Sequence, residues 1–176
     1  MESISLIQSV QRLDFSFSCY NQWMKCVAYT DGGARGNPGP AGAGAVVMNE
    51  NGEVLREAHK ALGRATNNFA EYSAVLLALE TLKKIIPVAK RKESEIEIKM
   101  DSELVARQLA NRYEIHEETL FPLFIKVHNL MISSFPKVTF THIPREQNKH
   151  ADRLSNKAMN ESEEKIKNEA EVTISR

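Results

Sequence analysis

Two short stretches decide the fold: Cys26-Val27-Ala28-Tyr29-Thr30-Asp31 and Ile96-Glu97-Ile98-Lys99-Met100-Asp101. The first is a compact apolar run that reads as a buried strand, and the second alternates apolar and polar residues as a strand does. Each ends on an aspartate. If the two strands are parallel neighbours, both carboxylates lie on one edge of the sheet, the edge at which open α/β sheets bind ligands.

The remaining elements follow outward from these two. Gly32 to Gly44 holds six Gly and two Pro and is expected to be a turn-rich stretch. Ala45-Val46-Val47-Met48 predicts a second strand, Asn49-Glu50-Asn51-Gly52 a hairpin turn, and Val54 to Leu62 a third strand. Phe69, Tyr72, Leu76, Leu79, Leu82 and Ile86 recur at helical spacing over Asn67 to Ile86, and Pro87 closes the run. A helix through Leu104, Val105 and Leu109 follows the Asp101 strand and extends toward Tyr113. Another spans Leu120 to Ser133, with Leu120, Phe124, Val127 and Met131 on its apolar face. Val138 to Ile143 predicts the fifth strand and Gln147 to about Asn160 the last helix. The order β-β-β-α-β-α-α-β-α implies an α/β fold, a five-stranded mixed sheet flanked by α-helices.

Composition bounds the function. The chain has 176 residues, 23 Lys+Arg against 23 Asp+Glu, and 42% hydrophobic residues, enough for one packed domain. Zero net charge gives no general electrostatic footprint for nucleic acid, so any such role needs a localised site. No apolar run approaches the roughly 20 residues of a membrane span. Cys19 and Cys26 form neither a disulfide framework nor a zinc set, and a cytoplasmic location is expected. Residues 1–24 lack a clear period and are expected to be an extension to a domain over 25–160. After Asn160, five acids and three bases with few apolar anchors predict a charged tail, 161–176, that frays.

The acids carry the chemistry. There are 19 Glu but only four Asp, namely Asp14, Asp31, Asp101 and Asp152. Asp31 and Asp101 end strands. Glu71 and Asp152 fall in the first turns of predicted helices, where the partial positive charge of the helix end tolerates a carboxylate. Four carboxylates at one edge would repel one another, and an oxygen-only set of this kind suits hard divalent cations, Mg²⁺ or Mn²⁺. A pair of such ions would serve phosphodiester cleavage. Taken singly, each acid is equally well a turn former, helix starter or surface charge.

The neighbours of these acids carry a family resemblance. Tyr29-Thr30-Asp31-Gly32-Gly33-Ala34-Arg35-Gly36-Asn37-Pro38-Gly39-Pro40-Ala41-Gly42-Ala43-Gly44 resembles the first motif of type 1 ribonuclease H. Thr66-Asn67-Asn68-Phe69-Ala70-Glu71 resembles its second and Met100-Asp101-Ser102-Glu103-Leu104-Val105 its third. The stretch Ile143-Pro144-Arg145-Glu146-Gln147-Asn148-Lys149-His150-Ala151-Asp152-Arg153-Leu154 is similar to its last. The resemblance spans about 25–160 in order and spacing. It implies a ribonuclease H-like fold and an endonuclease that cuts the RNA strand of an RNA–DNA hybrid, leaving 5′-phosphate and 3′-hydroxyl ends. Asp31, Glu71, Asp101 and Asp152 would be the catalytic carboxylates holding two Mg²⁺ (or Mn²⁺) ions. Asn37 and Thr66 would hold a DNA-strand phosphate. Asn67 and the Gly32-Gly33 backbone would meet the RNA strand near its 2′-hydroxyls, with Asn68 close by. A monomer acting on the hybrid alone is the expected state.

The chain departs from the bacterial pattern of that family in three places, and the short loop and the missing protrusion resemble its archaeal-like branch. The loop before the last Asp is short, and Arg145, which would be a fifth catalytic residue assisting near the scissile phosphate, stands seven positions ahead of Asp152 where the bacterial branch has a loop His; His150 should point elsewhere. Glu103, by position a substrate-binding residue in the minor groove, stands where many members have Gln. The basic hybrid-binding protrusion is missing, replaced by Tyr113-Glu114-Ile115-His116-Glu117-Glu118, which is acidic.

Other features have plainer readings. His59, His116, His128 and His142 show no metal-ligand spacing. Lys83-Lys84 and Lys90-Arg91-Lys92 are expected to be a solvated face at a helix end, and Trp23 a packing anchor. The alternatives from other classes are a non-catalytic hybrid-binding module and the nuclease domain of a reverse transcriptase. The missing protrusion predicts weaker hybrid affinity and steeper salt dependence than in a protrusion-bearing enzyme, to be read from binding titrated against salt.

Overall fold

The computed structural model describes residues 25–174, with side chains through Glu171, so the expectations for 1–24 and for Trp23 lie outside the described residues. Five strands, β1 (Lys25–Ala34), β2 (Gly39–Asn49), β3 (Val54–Ala65), β4 (Glu95–Met100) and β5 (Val138–His142), form one sheet in the order β3-β2-β1-β4-β5. The pairs β1–β2 and β2–β3 are antiparallel, while β1–β4 and β4–β5 are parallel. The helices are α1 (Asn67–Ile85), α2 (Val88–Arg91), α3 (Glu103–Leu109), α4 (Phe121–Ser133) and α5 (Lys149–Ile174). This is the expected mixed sheet and element order, with the short α2 added.

The main core lies between the sheet and the α1, α3 and α4 side. Ala28, Val47, Ile98 and Met100 from the strands meet Tyr72, Leu79, Leu82, Val105 and Val127 from the helices, all fully buried. Thr66 caps α1, its hydroxyl accepting from the Phe69 N–H at 3.2 Å. At the other end of α1, Arg91 donates to the carbonyls of Lys83 (2.5 Å) and Ile86 (3.0 Å), so part of the basic run is spent satisfying the helix C-terminus. The helix after β4 stops at Leu109 rather than near Tyr113. Asn111 follows in the left-handed region at φ 57, a conformation that ends a helix.

The Gly-rich stretch is the first departure from the sequence reading. Most of Gly32 to Gly44 is strand: β1 runs on to Ala34, and β2 already begins at Gly39, with Asp31 opposite Gly44 and Gly33 opposite Gly42. These glycines serve close packing more than turning. A Cβ on Gly42 would stand 2.5 Å from the Met159 nitrogen, and one on Gly44 2.5 Å from the Ala151 carbonyl oxygen, so α5 lies directly on the hairpin. On the opposite face a Cβ on Gly32 would stand 2.1 Å from the Ala70 carbonyl carbon, which seats the first turn of α1 against β1.

The second departure is α5, which continues past Asn160 to Ile174 where fraying was expected. A register shift sets Ala41 opposite Gly63 but Gly42 opposite Ala61, leaving Leu62 as the extra residue of a β-bulge. The N–H groups of Leu62 and Gly63 both donate to Ser162 Oγ at 3.0 Å, and that hydroxyl, fully buried, donates to the Ala41 carbonyl at 2.6 Å. Arg35 adds bonds to Asn160 Oδ1 (2.5 Å) and Glu163 Oε2 (2.7 Å), and His59 pairs with Glu161 at 2.9 Å. Partners on β2, β3 and the β1–β2 turn thus fix a segment whose own composition gives no reason to order. Among the described residues no helix is long and apolar enough to cross a membrane.

Replacing Ser162 with Ala leaves the bulge N–H groups and the Ala41 carbonyl without that partner. A loss of roughly 1–3 kcal/mol in urea unfolding is expected, and an unchanged midpoint would mean that the end of α5 is uncoupled from the sheet.

Candidate active site

The parallel register pairs Thr30 of β1 with Met100 of β4, so Asp31 and Asp101 stand side by side where the two strands deliver their carboxyl ends. Asp31 is buried and points to the α5 side, accepting a short hydrogen bond from the Ser155 hydroxyl. Asp101 accepts from Asn148 Nδ2 at 2.9 Å. Glu71, in the first turns of α1, accepts from the Gly32 backbone N–H, the amide at the helix–strand contact. Asp152, one turn into α5, accepts from Arg145 Nη2 and Asn156 Nδ2, each at 3.1 Å.

These four acids sense one another. Burial pushes the Asp31 carboxyl up to about 6, with the charges of Asp101 and Asp152 adding to it, against the Ser155 bond and the Arg145 charge. Burial also holds Glu71 well above the ordinary carboxylate range, and the charges of Asp31 and Asp101 raise it further. Arg145 is the counter-charge: its guanidinium is held protonated by Asp152 first and then by Asp101 and Asp31, while its side chain stays largely exposed. All five residues named as catalytic from the sequence therefore share one electrostatic neighbourhood. His150 does turn away, to Glu57 on β3.

Two contributors were not given a role by the sequence. Asn148 is buried and donates from Nδ2 to the Thr30 carbonyl and to Asp101, both at 2.9 Å, while its Oδ1 has no partner. Ser155 holds Asp31 from the face of α5. A polar residue four before Asp152, and one three after it, on an otherwise apolar helix face was the available signal.

The donor set fits divalent cations chemically: four carboxylate groups, two of them raised by their surroundings, and an unpartnered amide oxygen, with no soft ligand among them. Among the described residues no three His, Cys, Asp or Glu side chains close on a common point at ligating geometry. The carboxylates would thus complete the shell of a hard cation together with water and substrate oxygens, the manner in which Mg²⁺ is commonly held.

A second set of expected residues gathers at the α1 N-terminus. Asn37 Oδ1 accepts from the Asn67 N–H at 3.2 Å, and Asn67 Oδ1 accepts from the Ala34 N–H at 3.3 Å, so the β1–β2 turn is tied to the helix start. Thr66 and Asn68 stand beside them, and both donate to Glu117, a residue the sequence reading left without a role. Gly32 and Gly33 form the strand edge between the two sets. Glu103 does not join either: its carboxylate is bound by Arg107 at 2.6 and 2.8 Å on the exposed side of α3.

A five-stranded sheet of this order, with acids at the ends of β1 and β4 and at the starts of α1 and α5, is the ribonuclease H-like fold. The family described as "Reverse transcriptase-like" matches residues 29–158. The Bifunctional protein Rv2228c of Mycobacterium tuberculosis is 39% identical over 126 residues, 71% of this chain and 33% of that protein. Ribonuclease HI of Halobacterium salinarum is 37% identical over 122 residues, 69% of this chain and 58% of that one. The chain thus spans about a third to somewhat over half the length of these relatives. Among solved structures, LC11-RNase H1, isolated from compost by a metagenomic approach, superposes with a TM-score of 0.74 at 45% identity, covering 78% of this chain and 97% of that one. The same protein in complex with an RNA/DNA hybrid gives 0.71 at 42%, covering 78% and 98%. The chain belongs to the ribonuclease HI family.

The raised Asp31 carboxyl has a consequence for stability in metal-free solution. The folded chain binds this proton more tightly than the unfolded chain, so the contribution is full below about pH 4 and is lost as pH rises through about 6. In EDTA, Asp31→Asn should match the wild type near pH 4 and exceed it by about 3 kcal/mol above about pH 7. A stability difference independent of pH in denaturant titrations would show that the Asp31 carboxyl is not raised.

Proposed function

We propose that the chain is a metal-dependent endonuclease that hydrolyses the RNA strand of RNA–DNA hybrids. The observation that carries the reading is the convergence of Asp31, Glu71, Asp101 and Asp152 on one sheet edge, with the carboxyls of Asp31 and Glu71 raised by burial and by their acidic neighbours. Membership in the ribonuclease HI family and likeness to a relative solved with an RNA/DNA hybrid support it. In the reaction a water oxygen attacks the scissile phosphorus, and the bond to the 3′-oxygen breaks. The departing oxygen takes a proton, leaving 3′-hydroxyl and 5′-phosphate ends.

The four carboxylates would hold two Mg²⁺ (or Mn²⁺) ions. Bound there, the ions would supply an acidified water and charge for the leaving oxygen. The rest falls to the chain. Asn148 and Ser155 fix the Asp101 and Asp31 carboxylates in direction, so little reorganisation remains at the moment of reaction. Arg145 steadies Asp152 and, being largely exposed, can carry its charge to the scissile phosphate. Thr66 and Asn37 would hold a DNA-strand phosphate. The Gly32-Gly33 backbone, Asn67 and Asn68 would meet the RNA strand at its 2′-hydroxyls, the group that separates RNA from DNA. Glu103 would contribute to groove contact only by leaving Arg107.

The test is cleavage of an end-labelled hybrid in Mg²⁺, Mn²⁺ or EDTA, beside DNA duplex and single-stranded RNA, with wild type and Asp101→Asn. Hybrid-only, metal-dependent cutting that falls to background in the variant is expected. A folded wild type that binds hybrid without cutting it would instead favour the non-catalytic binding module.

A further inference from the structure

The Glu117 carboxylate lies at the N-terminus of α1 and accepts three hydrogen bonds. Thr66 Oγ1 donates to Oε1 at 3.2 Å, Asn68 Nδ2 to Oε2 at 3.0 Å and Thr119 Oγ1 to Oε1 at 2.8 Å. Two of these donors are residues that the proposed function assigns to the hybrid. Helix N-termini gather unpaired N–H groups and partial positive charge, and an anion is the natural occupant. Here the chain places one of its own anions there.

This is not a loose surface acid. Gln108, buried on α3, donates to the Glu114 carbonyl at 2.9 Å and accepts from the buried Tyr72 hydroxyl at 3.0 Å, pinning the loop just ahead of Glu117. Just after it the Leu120 side chain is buried, and the Leu120 N–H donates to the Glu117 carbonyl at 3.0 Å. The segment is therefore fixed on both sides. The bonds from Asn68, Thr119 and Thr66 hold the Glu117 carboxyl below its ordinary range, so it stays ionised at neutral pH.

We propose that Glu117 is a built-in competitor for the hybrid: its carboxylate occupies the Thr66 hydroxyl that would hold the DNA-strand phosphate and the Asn68 amide that would meet the RNA strand, and hybrid binding must displace it. The inference rests on the hybrid-nuclease reading above and deepens it. A phosphate and a carboxylate cannot share the Thr66 hydroxyl without like-charge repulsion, so Glu117 weakens hybrid binding and leaves the carboxylate cluster at β1 and β4 untouched. It also gives the acidic loop in the 111–120 segment a specific action, self-competition at one phosphate, in place of a general lack of positive charge.

The experiment compares the full-length wild type with Glu117→Gln, Glu117→Ala and, as a charge control, Glu118→Gln, whose side chain is exposed and next in sequence. Steady-state cleavage of one hybrid at two salt concentrations gives KM and kcat, and circular dichroism checks folding. Both Glu117 variants should lower KM by roughly threefold to tenfold with kcat unchanged, and Glu118→Gln should change KM far less. An unchanged or raised KM in either Glu117 variant overturns the proposal. A rise in Glu117→Ala alone would mark Glu117 as a positioning residue for Thr66 and Asn68. An equal effect in Glu118→Gln also overturns it, since net charge would then account for the gain. Failure of the underlying reading is separately visible: the wild type itself would not cut hybrid, whether or not it binds it.

Discussion

Asn148 joins the three elements on which the site stands. Its side-chain nitrogen donates to the Thr30 carbonyl of β1, level with the end of β4, and to the Asp101 carboxylate just beyond β4, while its main-chain carbonyl begins α5 by accepting from the Asp152 N–H at 3.0 Å. A buried amide that bridges two strands and starts a helix leaves little freedom to any of them. The parallel pairing of β1 and β4, the direction of Asp101 and the placement of Asp152 are thereby set together. Removing that bridge would loosen Asp101 and Asp152 at once.

The rest of the scaffold answers a packing constraint. Helix α5 can bring Asp152 and Ser155 to the sheet edge only by lying directly on the β1–β2 hairpin, and Gly42 and Gly44 make room for its backbone. On the opposite face Gly32 does the same for the first turn of α1, which carries Glu71. The bulge at Leu62 then hands two backbone donors to Ser162 and extends the contact a further turn. Close-packed interiors transmit such placements rigidly, so residues far from the acids determine where the acids stand.

Against that rigidity the site stores electrostatic repulsion. Asp31 and Glu71 are acids that burial and like charge make reluctant to ionise, and Arg145 offsets only part of the deficit. Stability given up locally in this way is common where a site is built for a charged ligand. At the N-terminus of α1 the Glu117 carboxylate satisfies, from within the chain, donors that are proposed to meet the hybrid. One half of the surface lacks positive charge and the other already holds a negative one.

The sequence by itself determined the element order, the mixed sheet and the four acids, because strand and helix periodicity are local and the acids sit in distinctive neighbourhoods at element ends. It also marked Arg145, and it turned His150 away by helical spacing alone. The tertiary structure decided what depended on partners distant in the chain. The glycines between Gly32 and Gly44 look like turn formers locally and become strand because α5 and α1 press on them. The segment after Asn160 looks like a fraying tail, and it is helix because a bulge on β3 and Arg35 on the β1–β2 turn supply its bonds. Glu117 reads as one acid among many until the fold sets it on Thr66 and Asn68, 51 and 49 residues away. Periodicity records which face of an element is buried, whereas only the folded chain records what lies against it.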